Sequence, residues 1–166
     1  WYQKRYRELP TTIAEPDNVL CIKNLDDKDN VVYIFDAKYR VNTKNEIGPM
    51  EDDINVMHRY RDSIVAEMSK DNQFKYETFG AYVMFPYSKT EEEYKENIFY
   101  KSIEKVNIGA FPMLPGKTKL IEEHIRKIVG QSKVEANNSR VLIDEFDYYN
   151  RFENKDVMVG IVPDKD

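Results

Sequence analysis

Residues 31 to 41 read VVYIFDAKYRV, an apolar β-run that suddenly carries Asp36 and Lys38, two charges a packed strand does not need. No other stretch constrains the fold as tightly. Side chains alternate faces along a strand, so positions 32, 34, 36, 38 and 40 share one side and 33, 35, 37, 39 and 41 the other. Asp36 and Lys38 therefore project together, an acid and an amine at the end of a buried strand.

Upstream, NVLCIK (18 to 23) is a second strand-like run, separated from the first by the polar turn NLDDKDN. The pair reads as a hairpin. With a turn centred near Asp27, antiparallel partners sum to about 54, which sets Asp17 opposite Ala37; a slip of one residue sets it across from Asp36 or Lys38, on their face. Two carboxylates a few ångströms apart repel unless a cation lies between them, and hard oxygen ligands favour Mg2+ or Mn2+. The acid-x-Lys pattern is weak by itself, because it recurs at Asp26 to Lys28, Glu93 to Lys95 and Glu153 to Lys155. Only the copy at 36 to 38 ends an apolar strand and has a Pro-Asp pair, Pro16 and Asp17, one hairpin upstream. The plain alternative is a salt bridge at a strand end, with Asp17 opening a turn.

After Gly48 and Pro49, Asp52 or Asp53 supplies an N-cap for a helix over 54 to 70. Ile54, Met57, Ile64, Val65 and Met68 fall on one apolar stripe, and Arg61 lies near its middle. A guanidinium is costly to bury unpaired, so Arg61 should meet a carboxylate or an anion-binding cleft. Tyr60 and His58 border the stripe. One reading aims Arg61 and Tyr60 at the acid pair; the other lets Arg61 snorkel to the domain edge, with Tyr60 as ordinary core.

The remaining elements are simpler. Residues 2 to 7 suggest a short strand, 74 to 86 a strand closed by Pro86, 90 to 97 a charged solvated segment, and 98 to 113 another strand-like stretch. Residues 118 to 129 form an amphipathic helix with Leu120, Ile121, Ile125 and Ile128 inward. Residues 131 to 155 are polar, and VMVGIVP (157 to 163) looks like the first strand of a further unit. The expected fold is α/β, a central mixed sheet with an N-terminal hairpin flanked by helices, in a domain over 1 to 130 followed by a linker and truncated unit over 131 to 166.

Composition excludes several classes of function. No apolar run approaches the roughly 20 residues of a membrane span. The single cysteine, Cys21, cannot form an internal disulfide and suits a reducing, cytoplasmic setting, and with only His58 and His124 beside it a structural zinc site is not expected. There is no nucleophile elbow, phosphate-binding glycine loop or Cys/His pair to suggest a small-molecule hydrolase. The net charge of −5 gives no global support to nucleic-acid binding, although a local basic groove suffices to contact phosphates. The chain begins at Trp1 without a methionine and reads as part of something longer.

PDN at 16 to 18, FDAKYR at 35 to 40 and DINVMHRYRDSIV at 53 to 65 together resemble the PD-(D/E)xK nuclease superfamily, and more narrowly its restriction-endonuclease-like branch found beside McrBC-type systems. AYVMFPY and FYKSIEKVNIGAFPMLPG are similar to that branch too, so the resemblance covers about residues 1 to 130. It implies an αβββαβ core in which Asp17 and Asp36 bind Mg2+ or Mn2+, with the Ala37 carbonyl as a further ligand. Lys38 would orient the attacking water or stabilise the phosphate, Tyr60 and Arg61 would complete the catalytic group, and Arg40, His58 and Arg59 would contact DNA. Many relatives carry a Gln four residues before the helix Tyr; Tyr60 matches that Tyr, but the Gln position is Val56. The superfamily's first helix usually supplies a glutamate, for which Glu8 and Glu15, in loop-like sequence, are poor substitutes.

Two expectations follow from the resemblance. One is a Mg2+-dependent endodeoxyribonuclease of a bacterial restriction or defence system. The other is a nuclease-fold binding or assembly module with incomplete catalysis, docking to an NTPase motor.

Overall fold

The computed structural model describes residues 14–23, 30–43, 47–67, 74–76 and 78–130. The expected strand at 2 to 7 and everything expected of 131 to 166 lie outside these residues. β1 (Asn18–Lys23) and β2 (Asn30–Ala37) are the hairpin, α1 (Glu51–Ser63) follows, and β3 (Val65–Glu67) pairs antiparallel with β4 (Phe74–Tyr76). Then come β5 (Thr78–Phe85), α2 (Glu91–Tyr94), α3 (Ile98–Val106), β6 (Ile108–Pro112) and α4 (Lys119–Gly130). The main sheet has the order β1-β2-β5-β6, antiparallel in its first pair and parallel in the other two. With helices flanking this mixed sheet, the fold is α/β and restriction-endonuclease-like, as expected.

β2 is central, and Val31 through Asp36 are all buried, which explains why its sequence is continuously apolar rather than alternating. The alternation still sorts the two faces. Tyr33 and Phe35 turn towards Tyr82 of β5, whose ring also meets Phe111 of β6 at 5.4 Å and His124 of α4 at 4.7 Å. An opening of about 220 Å3 lies on this side between α3 and α4, lined by Tyr100, Phe111, Leu120 and His124 among others. Val32, Ile34 and Asp36 occupy the opposite face, which α1 covers as it crosses β5.

α1 begins at Glu51 because Met50 is still extended, so Asp52 and Asp53 stand in the first turn rather than at the N-cap. There the three acids Glu51, Asp52 and Asp53 favour the positive helix end. The helix stops at Ser63, short of the expected 70: Ile64 is extended and Val65 opens β3, where cross-strand pairing with Tyr76 overrides helical spacing for a β-branched residue. Ile54, Met57 and Ile64 are buried as expected; Met68 lies outside the described residues.

The stretch 98 to 113 is not a single strand. Asn97 caps α3 by accepting from the Phe99 N–H at 2.9 Å, and Asn107, left-handed at φ 57°, ends it before β6. Phe99, Ile103 and Val106 recur at helical spacing on the inner side. Gly109 lets α3 approach β6, since a Cβ there would collide with the Phe99 carbonyl oxygen. Residues 90 to 97 are likewise more than a solvated segment: Thr90 caps α2, and Tyr94 is fully buried.

Candidate active site

The strand pairing decides what meets at the end of β2. Asn18 pairs with Phe35 and Lys23 with Asn30, so partner numbers sum to one less than expected and Asp17 arrives across from Asp36 rather than Ala37. The slip that the sequence left open is the one the hairpin takes. The Asp17 main-chain N–H approaches Asp36 Oδ1 at 3.4 Å, and the Ala37 N–H donates to Asp17 Oδ2 at 2.9 Å. Each carboxylate is thus held by the other strand's backbone.

Lys38 continues the parallel ladder one step past β2, its N–H donating to the Met84 carbonyl at 2.8 Å. This fixes its backbone, and its ammonium forms an ion pair with Asp36 Oδ2. Asp36 is 1% exposed, and Oδ2 has no hydrogen bond of regular geometry beside that ion pair. Asp17 lies at the exposed mouth.

Burial pushes the Asp36 carboxyl above its ordinary range; Lys38 opposes the shift, and the neighbouring Asp17 adds to it. Burial pulls the Lys38 amine down, but the Asp36 and Asp17 carboxylates outweigh it, so the amine sits above its ordinary value. Lys38 is therefore an ammonium at neutral pH. Tyr60, from α1, is pushed up by burial and by the Asp36 charge, and its hydroxyl approaches the Glu15 carbonyl at 3.4 Å. It remains a neutral phenol beside the acids.

The other expected site residues divide. Arg61 is not brought to this cluster: its guanidinium donates to the Val106 carbonyl at the end of α3 and to Asp62, each at 3.1 Å. A helix C-terminal carbonyl is a natural partner for a cation, so an arginine on an apolar stripe is satisfied by α3 and not by the acids. Arg59 is exposed within electrostatic reach of Tyr60, and His58 is exposed beside it on α1. Arg40 pairs with Asp53, a carboxylate only 1% exposed. Sequence reasoning placed Asp53 at a cap and missed this role. Its signal was spacing: Asp53 stands four and eleven residues before Met57 and Ile64, on the buried stripe.

Among the described residues no group of three or more His, Cys, Asp or Glu side chains gathers as a metal cage. Two hard carboxylates side by side, Asp17 at the exposed mouth and Asp36 buried across from it, nevertheless fit a divalent ion of the Mg2+ type, which is commonly held by one or two carboxylates with water and substrate phosphate supplying the rest.

A family model described as the PD-(D/E)XK nuclease superfamily matches residues 1–90, and the chain belongs to that superfamily of nucleases. No curated protein and no solved structure matches it.

Proposed function

We propose that the protein is a divalent-metal-dependent endonuclease that hydrolyses DNA phosphodiester bonds. The observation that carries this reading is the mutual hold of Asp17 and Asp36, with Lys38 ion-paired beside them. Asp17 and Asp36, with the Ala37 carbonyl, would hold Mg2+ or Mn2+. When bound, the ion polarises the phosphate and makes hydroxide accessible from water near neutral pH. Lys38, fixed through its backbone to Met84 and charged, faces the negative charge that develops on the phosphate oxygens. Tyr60 offers a neutral hydroxyl from α1 beside the same charges. Arg40, His58 and Arg59, all exposed, would supply polar groups for the flanking DNA backbone.

The resemblance to the branch beside McrBC-type systems supports a bacterial restriction or defence role in the cytoplasm, with the nuclease unit extending to residue 130. Among the described residues no helix is long and apolar enough to cross a membrane. A second reading has its own observation: among the described residues two carboxylates gather rather than three. It makes the protein a DNA-binding module with incomplete catalysis, docking to an NTPase motor.

The full chain, incubated with plasmid and single-stranded DNA in Mg2+ or Mn2+, is expected to cleave, and Asp36→Ala or a chelator to stop it. Cleavage that persists in Asp36→Ala overturns the mechanism. Binding without cleavage by the unaltered protein selects the second reading.

A further inference from the structure

Beyond β2 the chain is tied down at alternate residues. The Lys38 N–H is bonded to Met84 and its side chain to Asp36, Arg40 is paired with Asp53, and Asn42 exchanges main-chain hydrogen bonds with Gly48 at 2.9 and 3.1 Å. Val41, between two of these anchors, packs against the core. Tyr39 does neither. It is 93% exposed, the most exposed large hydrophobic side chain among the described residues. A single exposed ring needs no explanation by itself; this one is held between two anchored cations, Lys38 and Arg40, beside the candidate site.

We infer that Tyr39 is a stacking platform for an unpaired nucleobase next to the phosphate bound at Asp36 and Lys38, so that the site takes nucleic acid with an unstacked base at that position. This inference rests on the nuclease reading and names the substrate class of the same site. Tyr39 is the residue between Lys38 and Arg40, the two cations tied to Asp36 and Asp53. Lys38 and Arg40 are turned to Asp36 and Asp53, while the Tyr39 ring between them stands in solvent. Phosphates running past Lys38 and Arg40 leave a base free to fold over the chain and lie on the ring. A base stacked inside a duplex has no such freedom.

Arg40 suits the flanking phosphate for a related reason. One guanidinium nitrogen is held by the buried Asp53, while the side chain as a whole remains 60% exposed, which orients its other N–H groups without occupying them.

The test is equilibrium binding of the full chain in chelator, which prevents cleavage, to single-stranded DNA, single-stranded RNA and blunt duplex DNA of one sequence. The proteins are wild type, Tyr39→Phe and Tyr39→Ala, each checked for an unchanged melting temperature. Tyr39→Ala should weaken binding to both single strands about tenfold to a hundredfold, as expected for loss of one base–aromatic stack, with Tyr39→Phe and duplex binding changed by about threefold or less. A 2-aminopurine in the strand should be quenched by wild type and Tyr39→Phe and not by Tyr39→Ala. Unchanged single-strand affinity in Tyr39→Ala overturns the inference and leaves the nuclease reading standing. So does an equal loss on duplex, or a loss confined to DNA or to RNA, because the ring would read the base face that they share. Failure of the wild type to bind any nucleic acid, in chelator and again in Mg2+, overturns both.

Discussion

Asp17 and Asp36 stand nineteen residues apart in sequence and face each other across a hairpin, the N–H of Asp17 directed at Asp36 Oδ1 and the N–H after Asp36 donating to Asp17 Oδ2. Like charges are held together by backbone donors, an arrangement that costs stability unless a cation offsets the repulsion.

Asp36→Asn is the sharpest probe of that cost. Burial raises the Asp36 carboxyl, so its contribution to stability is present at low pH and is lost as pH rises through the folded-state value. A neutral isostere therefore leaves the melting temperature at pH 7 unchanged or higher while cleavage falls by about a hundredfold or more. A clear drop in melting temperature would show instead that the ion pair with Lys38 outweighs burial.

Lys38→Gln should remove a similar factor, about 10^2 to 10^3 in rate, with little change in affinity for DNA. Single-turnover cleavage beside equilibrium binding separates the two effects. Loss of binding equal to loss of rate would assign Lys38 to ground-state attraction.

Stability at acid pH should follow His124. Burial against Tyr82 and Phe111 pulls its imidazole down from 6.5 to about 4. The unfolded chain then binds the proton that the folded chain refuses between those values, and stability falls as pH drops from 6.5 towards 4, by up to about 3 kcal/mol. Urea titrations across this range should show the slope, and His124→Phe should flatten it.

Removing Arg40 leaves Asp53 buried without its counter-charge. Arg40→Met should cost about 1–3 kcal/mol in chemical denaturation, with part of the loss recovered in the double variant Arg40→Met, Asp53→Asn. Full additivity would mean that the pair is not coupled.

Gly109→Ala drives a methyl group at the Phe99 carbonyl, and α3 must shift from β6. A loss of about 1–3 kcal/mol is expected. An unchanged melting temperature would show that α3 moves freely.

The hairpin and its central strand were legible as unbroken β-forming runs on either side of a polar turn, and α4 as a long amphipathic helix. The register was not: one residue separates Asp17 opposite Ala37 from Asp17 opposite Asp36, and the pairing alone settles it. α3 was misread because Ile98, Phe99, Tyr100, Ile103 and Val106 are β-formers by composition; their helical spacing and the Asn97 cap carried the contrary signal. Arg61 shows the limit at the site. Its place on the apolar stripe demanded a partner, and nothing in α1 itself could say whether that partner was a carboxylate or the end of another helix.

The hairpin is also the most local pairing of the main sheet. Pairing of β1 with β2 closes a short loop, whereas the parallel pairs β2-β5 and β5-β6 each need a long crossover to be brought round first. The two acids can meet as soon as the hairpin zips, before the sheet that buries Asp36 exists. Contact between the acids thus depends on the most local pairing in the sheet, whereas the burial of Asp36 depends on its longest-range ones.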